Sequence, residues 1–133
     1  MPRSDFRRAL RGIFFAVFAA LVVAACGGRS RPDTVAAPDV PGAYDLTVLA
    51  DKDGQFDMNG ATLSEEDLKG ALRYRRDTND TVKTLLLTRG EKQKVTDAHI
   101  AGIARIGLEL RIRTFLREKD GKEIQEIRTT AVQ

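Results

Sequence analysis

Few side chains in this chain of 133 residues have the chemistry for catalysis, and their spacing limits what they can do. The single histidine, His99, is the natural candidate for a general acid or base, and Asp97 stands close to it in sequence. Side chains two residues apart on a helix do not face each other, so the two form no acid–base couple. A histidine on the flank of a helix is the preferred reading. Ser64 has no histidine partner in the sequence and is better explained as a helix N-cap. Asp51-Lys52-Asp53-Gly54 invites a calcium reading, but the alternating ligands and closing glutamate of an EF-hand loop are missing, so a hairpin turn is expected. One histidine and one cysteine are too few for an ordinary zinc site. No phosphate-binding or nucleophile motif is present. The expectation is no enzyme, no metal and no cofactor.

The reactive residue that does stand out is Cys26, the only cysteine. It follows a short basic start, residues 1–12, and a wholly apolar run, residues 13–25. Thirteen residues at ~1.5 Å each make a helix of about 20 Å, short of a ~30 Å hydrocarbon core. A membrane helix that starts further upstream would have to bury Arg11 or let it snorkel. A basic start, a short apolar stretch and small residues at its end read instead as a secretory signal peptide. Val23-Ala24-Ala25-Cys26 looks like a bacterial lipobox, an aliphatic residue and two small ones before the cysteine. The chemistry this implies is specific. The Cys26 thiol accepts a diacylglyceryl group, cleavage falls between Ala25 and Cys26, and the lipidated Cys26 becomes the new N-terminus. Several acyl chains then hold the protein to the membrane, each buried methylene contributing about 0.8 kcal/mol. Gly27 stands where an aspartate would favour inner-membrane retention, so the periplasmic face of the outer membrane is expected, with the inner membrane as the alternative.

Charge supports no nucleic-acid reading. The chain has 22 Lys+Arg and 19 Asp+Glu, a net +3. Residues 1–25 hold four arginines and one acid, and the remainder balances at 18 basic and 18 acidic residues. The basic surplus is therefore a property of the N-terminus.

These features need a scaffold. Residues 26–42 are rich in Gly and Pro without periodicity and read as a flexible tether behind the lipidated cysteine. A folded domain is expected over 43–133. Tyr44–Leu49 alternates as a strand, Asp51–Gly54 turns, Gln55–Met58 returns, and Asn59-Gly60 turns again. Ser64 caps a first helix whose buried stripe is Leu68, Ala71 and Leu72. Residues 81–88 form a central strand, with Leu85-Leu86-Leu87 apolar on both faces. Thr96 caps a second helix with Ile100, Ile103 and Ala104 buried, and Gly107 is expected to end it. Leu108–Arg113 alternates as a further strand, and residues 122–129 are a candidate edge strand. The fold class is α+β, a small mixed β-sheet with two helices on one face, in the order β-β-α-β-α-β-(β).

Three stretches in that order resemble the periplasmic domain of the ExbD/TolR family of biopolymer-transport proteins. They are LADKDGQFDMNGATLSEEDL (49–68), VKTLLLTRGEKQKVTDAHIAGI (82–103) and IARIGLELRI (103–112), and the similarity spans roughly residues 44–116. The resemblance implies the domain fold, together with self-association or binding of an envelope partner, in the setting of a TonB/Tol-type system. It does not carry over proton coupling. That family keeps an uncleaved membrane helix with an aspartate, whereas residues 13–25 contain no acid.

Alternation places Arg111, Arg113 and Phe115 opposite Leu110 and Ile112, with Lys83, Leu85 and Leu87 sharing their side. The plain reading is a solvated sheet face with snorkelling arginines. The sharper one is a partner surface, apolar groups rimmed by charge. The function expected is that of a membrane-anchored envelope lipoprotein, bound to the membrane through Cys26 and to a protein partner or a second copy through its domain. A small-molecule-binding module or small envelope enzyme is the alternative.

Overall fold

A computed structural model describes residues 31–37, 39–119 and 123–128. They belong to one unit that starts at Arg31. Its seven strands are β1 (Thr34–Ala36), β2 (Leu46–Ala50), β3 (Phe56–Met58), β4 (Ala61–Leu63), β5 (Thr84–Thr88), β6 (Arg113–Arg117) and β7 (Gln125–Ile127). Two helices are α1 (Glu65–Asp77) and α2 (Asp97–Leu110). The strands form a single sheet in the order β1-β7-β6-β5-β2-β3-β4. β2, β5 and β6 run parallel at its centre, and all other pairings are antiparallel. The α+β class, the mixed sheet and the two helices expected from sequence are therefore present.

Parallel neighbours need a crossover, and each helix supplies one: α1 lies between β2 and β5, and α2 between β5 and β6. Ser64 caps α1 by accepting from the Asp67 N–H at 3.1 Å, and Leu68 and Leu72 form its buried stripe. Thr96 caps α2 in a capping box whose reciprocal acceptor is His99. Leu46, Val48 and Ala50 of β2, Leu85 and Leu87 of β5, and Leu116 of β6 join the helix stripes in one core. Leu86 and Phe115 point to the other face of the sheet, as their pairing in register shows.

Four differences from the sequence reading have physical causes. The segment read as a tether contributes β1, which pairs with β7 over Thr34–Ala36, so the fold starts well before Ala43. Three residues between prolines are too few to show a period. Residues 125–127 do form the expected extra strand, but it is interior, because β1 lies outside it. β4 follows the Asn59-Gly60 turn, where both residues take positive φ (55° and 89°). Finally, α2 continues through Leu110, and Arg111 caps it in the left-handed conformation (φ 57°). Gly107 is interior to the helix for another reason: a Cβ there would meet the Ile112 carbonyl oxygen at 2.9 Å and the Thr114 methyl at 3.0 Å. The glycine lets the returning chain pass close to the helix. Leu108–Leu110 is thus the last turn of a helix, although its alternation with Arg111–Arg113 reads as a strand.

Candidate functional site

The residues with acid–base chemistry are consumed by the fold. His99 is fully buried. Its Nδ1 accepts from the Thr96 N–H at 3.0 Å, which leaves the proton on Nε2, and Nε2 donates to the Asp51 carbonyl oxygen at 2.7 Å. The Phe56 ring stands edge-on to the imidazole at 5.5 Å between centroids. Both nitrogens are thereby used, and Asp97 instead pairs with Arg31. The Asp51 carboxylate is used too, accepting from Thr62 Oγ1 at 2.7 Å and from the Lys52 N–H at 2.8 Å. These two bonds hold its carboxyl below the usual carboxylate range. A cleft of about 450 Å³ opens beside Asp51, Asp57 and Gly90, at the carboxyl ends of β2 and β5, but His99 does not line it. Among the described residues, no three His, Cys, Asp or Glu side chains converge as a metal site.

The six residues expected to share a partner surface do not form one face. Leu85 and Leu87 are fully buried beneath the helices. Three consecutive leucines offer no alternation, so the side that each takes is fixed only by pairing, Leu86 opposite Phe115 and Leu87 opposite Leu116. Phe115 is on the other face as expected, yet it is also fully buried. Tyr44 packs edge-on against it at 5.5 Å, and the Arg113 guanidinium lies 5.0 Å over the ring. Burial raises the pKa of the Tyr44 phenol, against the opposing charge of Arg117.

The three cations are neighbours along the backbone only, since alternation puts Lys83 on the Leu85 side of the sheet and Arg113 on the Phe115 side. The Arg113 N–H donates to the Lys83 carbonyl at 3.0 Å, and Arg111 lies two residues before it, so their backbones meet where β5 and β6 begin. Lys83 and Arg111 are exposed. Arg113 is committed: it bonds Asp39 at 3.0 Å and Glu126 at 3.4 Å, and Arg128 bonds the second oxygen of Glu126 at 2.9 Å. The Glu126 carboxylate is only 4% exposed, so both arginines compensate a buried charge. Sequence reading missed this ion cluster, because Asp39 lay in the supposed tether and Glu126 in a strand read as an edge, which β1 in fact covers. A groove of about 320 Å³ opens beside it, walled by Ala104, Gly107, Leu108 and Ile112.

Arg31 is the other residue that sequence reading passed over. Its guanidinium donates to Asp97 at 3.1 Å and to the Val95 carbonyl at 3.0 Å, and it also pairs with Glu118. The lipidation and cleavage positions, Cys26 and Ala25, lie outside the described residues. No helix among the described residues is long and apolar enough to cross a membrane. Comparison with known proteins gives no match to a family model, a curated protein or a solved structure.

Proposed function

We propose that this chain is an envelope lipoprotein, anchored through Cys26, whose α+β domain binds another macromolecule of the envelope. The observation that carries the reading is the lipobox Val23–Cys26 at the end of a thirteen-residue apolar run, with a folded unit starting at Arg31. Support also comes from the acid–base residues. His99, Ser64 and Asp51 are occupied by structural hydrogen bonds, which favours binding over catalysis. The ExbD/TolR resemblance suggests a role accessory to a TonB/Tol-type system without proton coupling of its own. A small-molecule-binding role is the second reading, favoured by the 320 Å³ groove, which is of ligand size.

The contact surface assigned to the partner is narrower than the sequence suggests, namely the exposed Lys83 and Arg111. Reversing both, Lys83→Glu with Arg111→Glu, should reduce crosslinks formed in intact envelopes while the domain stays folded, with the melting temperature lowered only by the modest cost of an acid at the α2 C-terminus. Arg113 is kept out of this variant, because a carboxylate there would stand against buried Glu126. Unchanged crosslinks from a correctly folded double variant would remove this surface from the account.

A further inference from the structure

We infer that residues 39–45 lie across the open face of the sheet as a built-in pseudo-ligand, and that the face beneath them is a docking surface for an acidic peptide segment carrying an aromatic side chain. Neither the Cys26 anchor nor the Lys83 and Arg111 surface is needed for it. β7, β6 and β5 separate β1 from β2 in the sheet, so the chain that joins β1 to β2 must cross them. It does so on the face without helices. The helices pack on the Leu116 side of β6, whereas the crossing chain meets Arg113 and Phe115, which alternate with Leu116. Leu86 pairs with Phe115 from one side and Glu126 from the other, so these three share that face.

Little holds this strap. The Asp39 carboxylate, 76% exposed, accepts from Arg113 at 3.0 Å, and the Tyr44 ring stands edge-on to Phe115 at 5.5 Å. Among the described residues, no backbone N–H or carbonyl from Asp39 to Tyr44 is hydrogen-bonded. A segment with so few bonds opens locally at low cost. Its fit is also incomplete. Tyr44 Oη and Arg117 Nε are both buried without a hydrogen-bond partner, and the Arg117 charge is near enough to act on the phenol. Buried polar groups are nearly always paired, so these two mark what a better occupant supplies, an acceptor at the far end of the ring. With the strap lifted, Arg113, Arg117 and Arg128 face a single acid, Glu126. A displacing segment therefore needs a carboxylate in the place of Asp39, a ring in the place of Tyr44 and an acceptor for Arg117. The strap competes with such a segment and lowers its apparent affinity in proportion to the fraction of molecules that are open.

The probe is a fluorescein-labelled peptide with the sequence of residues 37–46, APDVPGAYDL, titrated against the purified protein and read by anisotropy. Asp39→Ala with Tyr44→Ala removes both holds on the strap and should bind the peptide about tenfold more tightly than wild type does, with an affinity that falls as salt rises. A peptide with p-carboxyphenylalanine in the Tyr44 position should bind more tightly still, and Arg117→Gln in the double variant should erase that gain. Equal affinity of wild type and the double variant, or no binding by the folded double variant at millimolar peptide, overturns the docking surface. No gain from the added carboxylate overturns the part assigned to Arg117. If the double variant does not fold, Asp39→Ala alone carries the comparison with an expected gain of about threefold, and an unchanged affinity there overturns the proposal.

Discussion

The Nε2–H of His99 donates to the carbonyl oxygen of Asp51 at 2.7 Å and so ties the first turn of α2 to the end of β2. The same ring closes the α2 capping box through Nδ1. One side chain thereby joins a helix start, a strand end and, through its contact with Phe56, the core. A catalytic imidazole needs a nitrogen free to exchange a proton with substrate, and this one has none to spare.

His99→Ala should accordingly act on stability. It removes two buried hydrogen bonds and leaves a cavity beside Phe56, for a loss of about 2–4 kcal/mol. Urea melts of the folded domain measure it. A loss below about 0.5 kcal/mol, the range of ordinary surface changes, would contradict the clamp.

Two glycines on the two helices should respond with opposite signs. Gly107→Ala puts a methyl at 2.9 Å from a backbone oxygen, where relief requires moving β6 against α2. It should cost about 1–3 kcal/mol. A Cβ at Gly70 meets nothing within 4 Å, and this glycine lies inside α1, so Gly70→Ala should stabilise by about 0.5–1 kcal/mol. Thermal melts of the two variants should move in opposite directions. If Gly107→Ala also stabilises, the close approach of chain to helix is wrong.

Acid should weaken the fold in part through Glu65. The Arg105 guanidinium beside it holds its carboxyl below the ordinary glutamate value of 4.5. A lowered value in the folded state means that the unfolded chain binds protons first as pH drops. The contribution is complete above about pH 4.5 and is lost as pH falls through the folded value. Arg105 is mostly exposed, so solvent screening limits the effect to under about 1 kcal/mol. Glu65→Gln should cost up to about 1 kcal/mol at neutral pH, flatten the fall in stability between about pH 5 and pH 3, and converge with wild type at the acid end of that range. An unchanged slope would mean that the pair does not persist in solution.

Local signals carried most of the helical scaffold and little of the sheet's arrangement. Ser64 and Thr96 announce their helices because a cap is a local hydrogen bond, written within four residues. Leu68, Leu72, Ile100 and Ile103 announce the buried stripes through the 3.6-residue period. The faces of β5 were illegible, since Leu85–Leu87 is apolar throughout and only pairing with β6 orders it. The end of α2 was misplaced because Gly107 serves a close approach, a tertiary demand that looks the same in sequence as a helix stop. Arg31 and Asp39 were hidden in a stretch whose composition reads as linker, while their partners lie 64–87 and 74 residues away. Nothing short-range records such contacts.

The central claim is lipidation at Cys26, and the mass of the protein extracted from membranes tests it most directly. Wild type should have lost residues 1–25 and gained acyl groups on its N-terminal cysteine, and it should take up labelled fatty acid. Cys26→Ser, which offers no thiol, should accumulate at full length without label. A wild-type protein that retains residues 1–25, or equal labelling of the two proteins, would contradict the account.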